Sequence, residues 1–97
     1  MKLKAGNEAE YKKRHDEIWP ELAVVLTEAG VSSYTIFLDA PTLSLFAVWT
    51  LTEDNTTSEL PNHPLVQKWW AYMQDIMETN PDNSPVVEQL SQMFHMD

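Results

Sequence analysis

In "YKKRHDEIWPEL", residues 11–22, one imidazole stands in line with a phenol and an indole: Tyr11, His15 and Trp19 fall at steps of four. Residues at that spacing lie above one another on a helix. Leu would fill such a stripe at lower cost, because a buried phenol or imidazole demands a hydrogen-bond partner. Either ring alone reads as packing, but three polar-ended rings in one line read as the wall of a pocket. The imidazole suits proton transfer, since its unperturbed pKa of about 6.5 lies near neutral pH.

A second group of rings is Trp69-Trp70 in "KWWAYMQDIM". Neighbours on a helix point about 100° apart, so the two cannot face the same core. One packs while the other edges a cavity or an interface, and a flat indole complements the C–H face of a sugar ring. "NPDNSP" reads as a rigid turn whose Asn, Asp and Ser side chains could also reach ligand hydroxyls. His63 in "NHP" belongs to a helix start, and His95 is uninformative by itself. The three histidines match no metal-ligand spacing and no Cys assists them, so no metal is expected. Two glycines cannot build a phosphate-binding loop, and no carboxylate pair stands out among fifteen acids.

The elements that hold these rings follow from periodicity. "MKLKA" alternates as a half-buried strand, and Gly6-Asn7 breaks it. Asn7 with Glu10 resembles an N-cap and its capping-box partner, so a helix begins near Glu8. Its apolar positions continue through Ile18, Leu22, Val25 and Leu26 to Ala29, where Gly30 is a stop. Pro20 predicts a kink or a restart on the way. "SSYTIFLD" and "LSLFAVWTL" alternate on either side of the turn "DAPT", an antiparallel hairpin. Tyr34, Ile36 and Leu38 share one face of its first strand; Leu43, Leu45, Ala47, Trp49 and Leu51 share one face of its second. A short helical turn within "TEDNTTSELPNHP" precedes a helix from Pro64. "TNPDNSPV" is a loop, and a final strand is expected around Gln92 to Met96. Strand, helix, strand, strand, helix, strand is the split βαβ pattern of an α+β sandwich. Helices then cover one face of the sheet and leave the other apolar, so a second copy should cover it.

The bulk properties narrow the partners. At 97 residues the chain is expected to form one domain. A net charge of −9 repels phosphate backbones and anionic membranes, which disfavours nucleic acid and lipid. Without Cys there is no disulfide or thiolate chemistry. No apolar run is long enough for a membrane span or a signal peptide, so a cytoplasmic protein is expected.

"YKKRHDEIWPEL", "SSYTIFLD", "KWWAYMQDIM" and "NPDNSP" together resemble one family closely, the L-rhamnose mutarotases, over about Met1 to Phe94. The resemblance implies a single ferredoxin-like α+β domain over residues 1–97, dimerising through its sheet as a dimeric α+β barrel, with a sugar pocket in each subunit. It implies exchange of the α and β anomers of L-rhamnose by ring opening and closure, without a cofactor. His15 would be the proton donor, and Tyr11, Tyr34, Trp69 and Trp70 would contact the sugar. Family members usually begin several residues earlier, with a longer first strand, and the polar stretch before the second helix is less regular here. Small cofactor-free or haem-degrading monooxygenases share this fold, although the Tyr11/His15 pair and the Trp doublet fit them less well. A non-catalytic, dimeric sugar-binding module is the other alternative.

Overall fold

The protein is described over residues 1–97 by a computed structural model. Helix α1 spans Glu8–Asp16, α2 spans Pro20–Glu28 and α3 spans Pro64–Met73. Strands β1, Val31–Asp39, and β2, Ser44–Leu51, form the hairpin, and a 3-10 turn covers Thr57–Asn62. None of the helices is long and apolar enough to cross a membrane.

Proline punctuation divides the first helical region in two. Pro20 occupies the first turn of α2, where its missing N–H costs nothing. The residue before a proline is driven out of the helical region. Trp19 accordingly adopts φ −58°, ψ 126°, so α1 ends at Asp16 and the chain restarts. The α1 start lies where Asn7 predicts it, but the capping box does not form. Asn7 Nδ2 turns back to the Lys4 and Ala5 carbonyls, both at 3.2 Å, and Glu10 is taken by Arg14 at 3.0 Å. Gly30, at φ +96°, ends α2 region. A Cβ there would fall 2.8 Å from Asn55 Cβ and 3.0 Å from Asn55 Cα, so only glycine fits.

The hairpin register pairs Ile36 with Ala47, Phe37 with Phe46 and Leu38 with Leu45. A bulge between Ser32 and Thr35, with Ser33 at φ 50°, re-aims the start of β1. Alternation therefore sorts the side chains as the sequence predicts. Leu45 and Ile36 face the helices and meet the core of Leu3, Leu22, Val66, Met73 and Met77. Phe37, Phe46 and Val48 point to the other face and remain exposed.

The sheet order differs from expectation at the chain ends. β1 and β2 alone form a regular two-stranded sheet. Residues 1–4 lie beside β2 through Leu3 N–H to Leu43 (2.9 Å) and Leu45 N–H to Met1 (2.8 Å). Their other edge receives residues 76–78, through Lys4 N–H to Ile76 (2.9 Å) and Glu78 N–H to Lys2 (3.0 Å). The antiparallel order is thus β1, β2, N-terminal segment, residues 76–78, which is the ferredoxin-like arrangement. The fourth strand position falls directly after α3, not at Gln92 to Met96. Leu3, Ile76 and Met77 are each 5% exposed or less, and burying them together decides the pairing. Residues 92–96 form no strand, and Met93, Phe94 and Met96 are exposed.

Candidate active site

α1 is almost wholly polar, and Tyr11 is its one buried residue. The buried phenol and the half-buried imidazole of His15, four residues on, stack with ring centroids 4.3 Å apart. His15 Nδ1 lies 3.1 Å from the Tyr11 carbonyl oxygen. A carbonyl only accepts, so in the neutral ring the proton resides on Nδ1 and Nε2 carries a free lone pair. On its other side the imidazole meets Trp69 of α3 edge-on at 5.4 Å.

Trp19 completes this group by a route its spacing did not suggest. The helix breaks before it, so Trp19 does not continue the Tyr11–His15 stripe. Set at the start of α2, it reaches the edge of Trp69 at 5.0 Å and tilts against Tyr72 at 5.5 Å. Of the doublet, Trp69 is buried within this cluster while Trp70 is half-buried. Trp70 packs against the core and lines the hollow without an aromatic partner. The expected division into one indole that packs and one that edges a cavity is not strict: Trp69 is in the core and Trp70 packs against it, and both border the hollow.

Tyr34 comes from the sheet side. It is 41% exposed and stands edge-on to Trp49 at 5.3 Å. Trp49, opposite in the hairpin, was legible only as an inward-facing position. Tyr11, His15, Tyr34, Trp49, Trp69 and Trp70 line one open hollow of about 1600 Å³. All five sequence-derived site residues therefore border one open concavity. Arg14 and Tyr72, which the sequence did not single out, support it from α1 and α3. The i, i+4 pair Glu10–Arg14 was a detectable signal for the first.

Burial sets the protonation states. It pushes the Tyr11 phenol far above its usual range, with the neighbouring Tyr34 adding to the rise. It raises Tyr34 likewise, so both phenols stay neutral and can donate hydrogen bonds. Burial lowers His15 below its ordinary 6.5, against opposing effects of the Tyr11 hydrogen bond and the Asp16 charge. The imidazole is thus neutral at pH 7, with Nε2 ready to take up and return a proton. Such a hollow, with rings for C–H faces, phenols for hydroxyls and one proton carrier, fits a small polyhydroxylated ring.

The comparisons agree with this geometry. The family profile described as L-rhamnose mutarotase matches residues 1–96. An L-rhamnose mutarotase of Agrobacterium fabrum is 59% identical over 96 residues, covering 99% of this chain and 90% of the relative. One from Flavobacterium johnsoniae is 55% identical over 97 residues, covering 100% and 91%. The crystal structure of an L-rhamnose mutarotase from Formosa agariphila superposes with a TM-score of 0.92 at 47% identity, covering 100% of this chain and 93% of that one. With a profile match along nearly its whole length and relatives this similar, the chain belongs to the L-rhamnose mutarotase family.

Proposed function

We propose that this protein is an L-rhamnose mutarotase, an isomerase that interconverts the α and β anomers of L-rhamnose. The carrying observation is the His15 imidazole, tied by Nδ1 to the Tyr11 carbonyl and held between Tyr11 and Trp69. Family membership supports this reading over an oxygenase of similar fold.

Anomer exchange needs the anomeric hydroxyl to lose its proton and the ring oxygen to gain one as the bond between C1 and that oxygen breaks. The aldehyde then turns about C1–C2, and closure on the other face inverts C1. In this reading His15 Nε2 is the proton donor to the ring oxygen. Its lone pair first takes the anomeric proton, since a neutral ring fixed by Nδ1–H has none to give from Nε2. Both sugar oxygens are bonded to C1, so one nitrogen reaches each. Tyr11 and Tyr34 donate to hydroxyls, while Trp69 backs the imidazole and Trp70 faces the apolar side of the sugar. No cofactor takes part. The test is saturation-difference NMR of anomer exchange on His15→Ala. Exchange should fall by about 10² to 10⁴, the usual contribution of a positioned acid–base group; exchange at the native rate rejects the role.

The 97 residues act as one domain in this reading, and the working form is a homodimer. Only 11 residues of 97 are buried, fewer than a self-sufficient core provides. Phe37, Phe46 and Val48 expose 58%, 44% and 60% of their surface along one sheet face. An exposed apolar patch of this kind is what a partner surface covers. We place the protein in the cytoplasm; a chain without cysteine is compatible with a reducing compartment.

A further inference from the structure

Arg14 precedes His15 in the last turn of α1, and its side chain is only 12% exposed. Nη1 donates to the Tyr72 carbonyl at 2.8 Å and to Asp75 Oδ1 at 2.9 Å. Nη2 donates to Asp75 Oδ2 at 3.3 Å, and Nε to Glu10 Oε1 at 3.0 Å. The guanidinium also lies over the Tyr72 ring, 4.5 Å from its centroid. Tyr72 in turn touches Trp69 at 5.7 Å, and Trp69 meets His15 at 5.4 Å. A closed circuit results, from Arg14 through α3 to the imidazole beside it.

α1 has little else to fix its angle. Its single buried residue is Tyr11, and α1 ends at Asp16, one residue after His15. The end of α1 that carries the imidazole is therefore held by polar bonds more than by apolar packing. We propose that Arg14 is a positioning residue: by clamping the last turn of α1 to the end of α3, it holds His15 against Trp69 and so keeps Nε2 in place for proton transfer to the sugar. The proposal rests on His15 being the group that moves the proton. A planar fork is required, because two parallel bonds to one carboxylate fix direction as well as distance. A lysine ammonium keeps the charge and loses the direction.

The experiment compares Arg14→Lys, Asp75→Asn and the double variant, measuring anomer exchange of L-rhamnose over a range of sugar concentrations. Each rate is referred to folded protein, and the His15 ring resonance is followed by NMR. The proposal expects kcat to fall about tenfold or more in each single variant, since misplacements of about 1 Å cost up to 10²-fold. KM should change less than about twofold, because the sugar-contacting rings remain. The His15 resonance should move, and the double variant should be no worse than the weaker single, as for two partners of one contact. Unchanged kcat in both single variants, or losses that multiply in the double, overturns the clamp. A merely structural arginine would lower Tm and leave kcat and the His15 resonance alone. If Arg14→Lys does not fold, Asp75→Asn decides alone, since the Asp75 side chain is 55% exposed and no core is cut. His15→Ala in the same assay separates the failures. An active His15→Ala removes the role of His15 and the clamp with it; an inactive one beside fully active Arg14→Lys and Asp75→Asn removes only the clamp.

Discussion

The Trp69 indole meets the His15 imidazole edge-on, with ring centroids 5.4 Å apart and planes at 88°. Tyr11 covers the ring from its own helix at 4.3 Å. Two residues more than fifty positions apart in sequence, Tyr11 and Trp69, thus enclose one titratable group. Withdrawing it from water disfavours its charged form.

That enclosure fixes the sign of the pH dependence. His15 is lowered below 6.5 by burial, so the neutral ring, able to accept the anomeric proton, persists to lower pH than a free histidine allows. Anomer exchange should be level above pH 7 and decline on the acid side, with a midpoint below 6.5. A rate that instead rose on acidification would mean that imidazolium is the starting form. Stability carries the same sign. Between the lowered folded pKa and the unfolded value near 6.5, the unfolded chain binds more protons. As pH falls through that window, the native protein should lose stability relative to His15→Gln, measured by denaturant titration at each pH.

The two indoles should separate in their effects. Trp69 lies in the core, at 9% exposure, so Trp69→Ala should cost about 3–5 kcal/mol of stability, as large-to-small core changes do. Trp70 is half-buried and has a side on the hollow. Trp70→Ala should cost less stability and raise KM for L-rhamnose several-fold. Thermal melts beside exchange kinetics read both quantities. A Trp70→Ala protein with native KM would show this indole to be packing alone.

The exposed sheet face should hold two copies together. Phe37 pairs with Phe46, and Thr35 with Val48, across the hairpin, so a charge at Val48 enters the middle of the apolar patch. Val48→Asp should shift the protein from dimer to monomer in sedimentation velocity, because an unpaired buried charge is costly. The side chain is 60% exposed in the single chain, so the fold itself should tolerate the change. A wild-type protein that sediments as a monomer at working concentration would rule the dimer out.

Much of the architecture was legible because its causes are local. Pro20 and the constraint it places on Trp19 end α1 wherever the rest of the chain lies. Gly30 stops α2 through its own φ of +96°, and period-two alternation sorted the two hairpin faces before any partner was known. Tyr11 and His15 meet because four residues make about one helical turn. The site as a whole was not local. Trp19 left the stripe its spacing suggested and returned from another helix to touch Trp69. The strand position beside the N-terminus fell to residues 76–78 rather than to the C-terminal segment. Arg14 found Asp75 across 61 residues, and Trp49 found Tyr34 across a bulged hairpin. The sequence by itself determined where helices start and stop and which side chains share a face, since backbone sterics and periodicity act within a few residues. Only the tertiary structure decided which faces meet, because that depends on burying apolar surface between segments whose separation along the chain leaves no periodic trace.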